Sequence, residues 1–251
     1  MMTITPIPAF NDNYIWLMQA NEQAVCVDPG EAAPVLAYLQ QHRLSLHSIL
    51  ITHHHRDHIG GVADLQEAFP DAIIYGPEDI ACVTQAMQEG DVLDVLGEPV
   101  VVWEVPGHTH NHIAYLLTIH GTAAPHVFCG DTLFSAGCGR VFCGTIEQLQ
   151  HSLARFQSLP DATLFYPAHE YTASNLRFAL SVEPDNQAAI AALAVATDTP
   201  TLPVTLAHEK AINPFLRLDS EQIQQQVALQ GMSMINDAAV FASLRQLKNQ
   251  F

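Results

Sequence analysis

Residues 49–61 read ILITHHHRDHIGG, and this run carries the strongest structural signal in the chain. It begins at the end of an apolar run, His47 to Ile51, of the kind that forms a strand covered on both faces. Side chains alternate in extended backbone, so His53 and His55 are predicted to point to one side and His54 to the other. The chain then turns, bringing Asp57 and His58 toward a helix predicted over Gly60 to Phe69 and stopped at Pro70. Gly60 and Gly61 remove bulk at that turn and let backbone approach closely. Two imidazoles at i and i+2, then a carboxylate and a third imidazole, supply four ligands within six residues. Such a set suits a divalent first-row metal, with Zn–N bonds of about 2.0–2.1 Å.

Three further segments repeat the pattern. His108 in PGHTH follows a strand predicted at Val100 to Val105. Asp131 in CGDTLF follows His126 to Cys129, and His169 in YPAHEY follows Thr163 to Tyr166. Each candidate ligand therefore lies just past the carboxyl end of a strand, where open α/β sheets place their sites. Five imidazoles and two carboxylates exceed what one ion can use. The natural partition gives one metal His53, His55 and His108, and the other Asp57, His58 and His169, with Asp131 bridging. Paired ions of this kind sit about 3.5–4 Å apart. Zinc is the expected metal, although iron and manganese also accept His/Asp shells.

The composition narrows the partners. The chain has 251 residues, and at about 100–200 residues per domain it suggests one large domain or two unequal ones. Apolar residues make up 49% and charged residues 14%, which excludes intrinsic disorder. Asp and Glu total 26 against 9 Lys and Arg, a formal charge of −17 that repels phosphate backbones and anionic lipid. No nucleic acid and no membrane surface is therefore expected as a partner. No apolar run approaches the ~20 residues of a membrane span, and the N-terminal stretch does not read as a signal peptide. The five cysteines are scattered without a C-x-x-C pair, which fits a reducing cytoplasm. The fourteen histidines outnumber Lys and Arg together, a surplus that points to metal ligation.

Early strands are predicted at Met2 to Ile7, Tyr14 to Gln19 and Ala24 to Val27, followed by a helix over Glu31 to Gln41. Thr145 with Gln148 forms a capping box for a helix over Ile146 to Gln157. Beyond Tyr171 the β-branched runs cease, and helices are predicted at Thr172 to Ser181, Asn186 to Thr197, Ser220 to Leu229 and Asp237 to Lys248. The organisation is an α/β domain over residues 1–169 and a small all-helical domain over residues 170–251.

The T-H-x-H-x-D-H pattern at Thr52 to His58, with His108, Asp131 and His169 downstream, resembles the metallo-β-lactamase superfamily. That resemblance implies an αβ/βα sandwich, two mixed sheets face to face with helices outside. Narrower blocks are GDTLFSAGCGRVFCGT at Gly130 to Thr145, HEYT at His169 to Thr172 and NPFLR at Asn213 to Arg217. Together with Arg245, Lys248 and Phe251 near the C-terminus, they are similar to the glyoxalase II (hydroxyacylglutathione hydrolase) family over essentially the whole chain. The resemblance implies a thioester hydrolase that converts S-D-lactoylglutathione to D-lactate and glutathione, in methylglyoxal detoxification. It implies catalytic roles for Asp57 and Asp131, with a metal-bridging hydroxide as nucleophile. It assigns glutathione contacts to Arg140, Phe142, Tyr171, Arg245 and Lys248. Relatives carry Lys and Tyr where this chain has Arg140 and Phe142, so the cation is kept and a hydroxyl is lost. A monomer in the cytoplasm is expected.

The rival reading on the same fold is a mononuclear-iron persulfide dioxygenase, which would leave Asp57 and His58 outside the metal shell and would normally lack the helical domain. Among the remaining residues, His112 is expected to hydrogen-bond near the site rather than bind metal. Cys138 and Cys143 read as packing residues, and Trp16 and Trp103 as core.

Overall fold

The computed structural model describes residues 2–122, 124–197, 200–231 and 236–251. The chain divides into two compact units: Met1–Glu104 with Asn111–Gly130, and Val105–His110 with Asp131–Phe251.

In the first unit, strands β1 (Thr3–Ala9), β2 (Asn13–Ala20) and β3 (Gln23–Val27) form an antiparallel meander. Helix α1 (Ala32–His42) then crosses over to β4 (Ser45–Leu50), which lies parallel to β3. Helices α2 (Arg56–Ile59) and α3 (Val62–Ala68) lead to β5 (Ile73–Gly76), and β6 (Gln85–Ala86) closes a six-stranded mixed sheet in the order β1 to β6. The change from antiparallel to parallel falls where hairpin turns give way to helical crossovers, as strand direction requires. The helix expected over Gly60 to Phe69 thus begins only at Val62, and a separate unpredicted turn of helix over Arg56–Ile59 precedes the two glycines. A Cβ on Gly61 would lie 2.4 Å from the backbone nitrogen of Ala32, and one on Gly60 2.7 Å from the carbonyl of Gly30. The glycines let this segment press against the turn after β3.

Four further strands, β7 (Val92–Val95), β8 (Glu98–Glu104), β9 (Ile113–Leu117) and β10 (His126–Gly130), pair antiparallel in sequence order. Tyr115 on β9 donates its hydroxyl to the carbonyls of Ile51 (2.9 Å) and Tyr75 (3.3 Å), so this layer faces the mixed sheet. Ile15, Leu17, Cys26, Ile49 and Ile74 pack with Val35 and Leu39 of α1 and Leu65 of α3 in one buried cluster. Trp16 and Met18, at alternate positions of β2, are equally buried, so that strand is covered on both faces. Trp103, expected in the core, is only half-buried.

The second unit contains a two-stranded hairpin, β11 (Leu133–Phe134) and β12 (Gly137–Cys138). Helix α4 (Ile146–Gln157) follows with the predicted capping box formed in full by Thr145 and Gln148. Next come β13 (Leu164–Pro167), α5 (Thr172–Val182) and α6 (Gln187–Val195). The stretch expected to be purely helical contains a short strand, β14 (Val204–Thr205), antiparallel to β13, and a helix the sequence pattern did not reveal, α7 (Leu206–Ile212). Its signal was present: Thr205 caps it, accepting from the backbone N–H of His208 at 3.2 Å. After a 3₁₀ turn at Pro214–Leu216 come α8 (Glu221–Leu229) and α9 (Asp237–Gln250). Phe178, Phe215 and Phe241 form the aromatic centre of this helical part. Among the described residues, no helix is long and apolar enough to cross a membrane.

Candidate metal centre and binding cavity

The predicted ligands fall in both units. In the first unit, β4 ends at Leu50 and the chain continues without regular pairing through residues 51–55 into α2. His53 and His58 are buried, His55 is half-buried and His54 is exposed, as alternation predicted. His53 Nε2 lies 3.1 Å from His55 Nδ1, and His58 Nε2 lies 3.5 Å from Asp57 Oδ2. Donors on a tetrahedral ion with bonds of about 2.0–2.1 Å stand about 3.3 Å apart, so these spacings fit a metal shell.

Sequence reasoning missed the residue that organises this half. Asp28 is buried beneath the histidines, with φ of 54°. Its Oδ1 accepts from the backbone N–H of Thr52 (2.7 Å), and its Oδ2 accepts from Thr52 Oγ1 (2.7 Å) and faces His58 Nδ1 (3.0 Å). A carboxylate can only accept, so His58 carries its proton on Nδ1 and presents the Nε2 lone pair. Thr52 gives its one hydroxyl proton to Asp28, so at 3.0 Å it accepts from His53 Nδ1, and His53 likewise presents Nε2. The only hint in the sequence was the Asp28-Pro29-Gly30 turn. Asn13 donates to Asp57 Oδ2 at 3.3 Å, and the His112 ring stacks on His53 at 4.6 Å, which places it beside the site as expected.

In the second unit, His108, Asp131 and His169 are all buried. His108 Nδ1 donates to the carbonyl of Arg140 at 2.7 Å, and its Nε2 lies 3.4 Å from Asp131 Oδ2. His169 Nε2 lies 3.4 Å from the other oxygen, Oδ1. One carboxylate thus faces two imidazoles through separate oxygens. These donor sets fit divalent ions in number, type and spacing.

A cavity of about 400 Å³ opens beside His108 and Asp131, and all five expected glutathione contacts line it. Tyr171 stacks on His169 at 4.7 Å, with its plane within 7° of parallel. Phe142 is 62% exposed, its ring edge-on to His108 at 5.2 Å, and Arg140 beside it is exposed. Arg245 is buried; its Nη1 donates to the carbonyls of Cys138 (3.0 Å) and Gly139 (3.3 Å), and its guanidinium lies over Phe215. Lys248 rests against Phe178 and Phe251, and burial together with the Arg245 charge lowers its pKa to about 8. Cys138 packs beside Arg245, but Cys143 is exposed, which corrects its reading as a packing residue. Ser174 and Asn175 also line the cavity and were not anticipated.

Residues 10–169 match the family model of the metallo-β-lactamase superfamily, and residues 170–251 match that of the hydroxyacylglutathione hydrolase C-terminus. A hydroxyacylglutathione hydrolase of Neisseria meningitidis serogroup C is 52% identical over 252 residues, covering 100% of this chain and 99% of that protein. Among solved structures, the B3 metallo-β-lactamase BLEG-1 superposes with a TM-score of 0.65 at 20% identity, covering 86% of this chain and all of that one. TTHA1623 in a di-iron-bound form superposes with a TM-score of 0.59 at 26% identity, covering 85% of this chain and 100% of that one.

Proposed function

Because this chain belongs to the metallo-β-lactamase superfamily and, within it, to the hydroxyacylglutathione hydrolases, we propose that it hydrolyses S-D-lactoylglutathione to D-lactate and glutathione. The observation that carries the reading is the cavity that Asp131 and His108 share with two buried or half-buried cations and Tyr171. A peptide thioester with anionic ends needs such a combination: ligating groups at the acyl carbon and fixed positive charge where the peptide lies. Full-length kinship at 52% identity to a protein of that name supports the same choice and disfavours the oxygen-dependent alternative.

In this reading His53, His55 and His108 would hold one ion and Asp57, His58 and His169 the other, with Asp131 a ligand that both could share. Zinc is the proposed metal, with iron or manganese as substitutes. Bound there, two divalent ions acidify a water and polarise a carbonyl oxygen. Asp28 and Thr52 keep His58 and His53 in the ligating tautomer, and the Arg140 carbonyl does so for His108. Arg245 and Lys248 bind a carboxylate of the glutathione portion, while Arg140, Phe142 and Tyr171 flank its chain. Water loses a proton to solvent as its oxygen bonds to the acyl carbon, the C–S bond breaks, the sulfur leaves as thiolate, and the new carboxylic acid gives its own proton to solvent. A thiol pKa of about 8.5 makes that departure easy without a general acid. Residues 1–169 form the catalytic domain and residues 170–251 the substrate-binding domain, and the protein acts as a cytoplasmic monomer.

The deciding experiment is thiol release from S-D-lactoylglutathione by metal-loaded protein. Full metal loading with no thiol released overturns the proposal.

A further inference from the structure

Glu209, on α7, is fully buried, and nothing in the chemistry above uses it. Its carboxylate accepts from Ser135 Oγ (2.8 Å), the backbone N–H of Ala136 (2.9 Å) and Asn213 Nδ2 (2.9 Å). Ser135 and Ala136 form the tip of the β11–β12 hairpin, where Ala136 has φ of 56°. The same tip is held from two other sides: Asn213 Nδ2 donates to the carbonyl of Gly137 at 2.9 Å, and Asn175 Nδ2 to that of Ser135 at 3.0 Å. There is no slack at Gly137, where a Cβ would lie 2.6 Å from Asn175. A carboxylate removed from water is costly to bury, and three converging donors are what make this one tolerable.

This hairpin supports one side of the cavity. The Phe134 ring stands edge-on against Tyr171 at 5.0 Å, and the carbonyls of Cys138 and Gly139 receive the Arg245 guanidinium. The Asp131 end is tied separately, by Gly139 N–H to the carbonyl of Thr132 (3.2 Å) and Thr132 Oγ1 to that of Val105 (3.4 Å). We propose that Glu209 is a positioning residue for substrate binding: by holding the hairpin tip it sets where Arg245 and Tyr171 stand, and so governs capture of the glutathione portion rather than the chemical step. The substrate half of this proposal rests on the hydrolase reading.

A pH dependence follows. Burial raises the Glu209 carboxyl to about pKa 7. The groups facing it from the hairpin and from Asn213 are neutral; on its own helix, Lys210 is paired with Asp161 at 2.6 Å and burial lowers the pKa of His208. Above about pH 7 the carboxylate accepts all three bonds, whereas below it one oxygen must donate to Ser135 and the charge assistance is lost.

The test compares wild-type and Glu209→Gln full-length metal-loaded protein. An amide turns an N–H donor toward one or more of the present donors, with little change of shape. With charge-assisted bonds about twice as strong as neutral ones, we expect KM for S-D-lactoylglutathione to rise about tenfold, with kcat within about threefold. Residues 133–138 should exchange amide hydrogen about tenfold faster while unfolding stays cooperative and metal content is kept. Wild-type KM should rise below about pH 7, and the variant should lack that limb. Unchanged KM and unchanged hairpin exchange overturn the proposal, as does a fall in kcat at constant KM. Should Glu209→Gln not fold, Ser135→Ala must show the same KM and exchange changes at smaller amplitude. Wild-type protein that releases no thiol overturns the hydrolase reading and the substrate half with it, while the exchange comparison still decides whether the brace exists.

Discussion

Replacing Asp28 by Asn tests the hydrogen-bond logic of the metal site without changing its shape. The left-handed backbone at residue 28, with φ of 54°, is one that Asn tolerates, so the substitution adds no backbone strain. The amide oxygen of the new side chain can still accept from the Thr52 backbone N–H. The opposite atom becomes an NH₂ donor facing both Thr52 Oγ1 and His58 Nδ1, groups that now lie 2.7 and 3.0 Å from Asp28 Oδ2. To satisfy it, His58 must accept on Nδ1 and move its proton to Nε2. Thr52 must also accept there, which turns its hydroxyl proton toward His53 Nδ1, 3.0 Å away, and drives the His53 proton to Nε2 as well. The backbone bond from Thr52 is kept and the other three survive with reversed polarity, so little stability is lost, yet the Nε2 lone pairs of His53 and His58 are capped. Loss of such a supporting carboxylate costs about 10–100-fold in metal affinity, or about 1.4–2.7 kcal/mol. The assay is elemental analysis of wild-type and Asp28→Asn protein after dialysis against a graded chelator series, alongside thermal unfolding of the metal-free forms. Asp28→Asn protein that holds its metals at wild-type chelator concentrations would refute the tautomer argument. So would a large loss of metal-free stability, which would mean that the bonds were broken rather than reversed.

Chelation should abolish thioester hydrolysis and zinc should restore it; full activity with fewer than about two metals per chain, by elemental analysis, contradicts the paired site. Phe142→Tyr should lower KM for S-D-lactoylglutathione by about two- to tenfold, the worth of one regained hydrogen bond, as steady-state kinetics would show. The Lys248 pKa of about 8 lies below the unfolded value, so the residue is charged below pH 8 and neutral above it. KM should therefore rise above pH 8 in the wild type, and a Lys248→Met variant should have a high KM that is flat across that range. Because the unfolded chain holds that proton up to about pH 10.4, the Lys248 contribution to stability grows as pH rises from 8, a trend that denaturant titrations at several pH values can check.

What was legible in the sequence and what was not differ in kind. The seven proposed ligands stood out because metal chemistry demands rare residue types, and they fall in segments that follow the ends of strands. Thr145 and Gln148 were legible because a capping box is local. Asp28 and Glu209 were not, because the contacts that give each its role are with Thr52 and His58, and with the Ser135–Ala136 tip, 24 to 74 residues away, and each looks in sequence like an ordinary acidic residue. Helix α7 was lost for another reason: its seven residues are too few to show a helical period. The short helix over Arg56–Ile59, and the later start of the next one, depended on where Pro29–Ala32 approaches Gly60 and Gly61, a contact between segments about thirty residues apart.

The charge of −17 poses a last question, since the proposed substrate is itself an anion. Long-range attraction does not answer it, because surface charge is screened within about 8 Å at physiological salt. Placement does. Of nine basic residues, Lys210 and Arg217 are occupied by Asp161 and Glu183, while Arg140, Arg245 and Lys248 line one cavity. Arg245 is buried there with Nη1 committed to carbonyls and Nε without a hydrogen-bond partner among the described residues. A buried donor left unpaired costs about 1–3 kcal/mol, and burial, with the Arg245 charge adding to it, lowers the pKa of Lys248. In the proposed reading, a bound carboxylate offsets part of the cost of burying these two charges. In the same reading, selectivity for an anion comes from one buried and one half-buried cation lining the same cavity, while the acidic surface outside it repels polyanions.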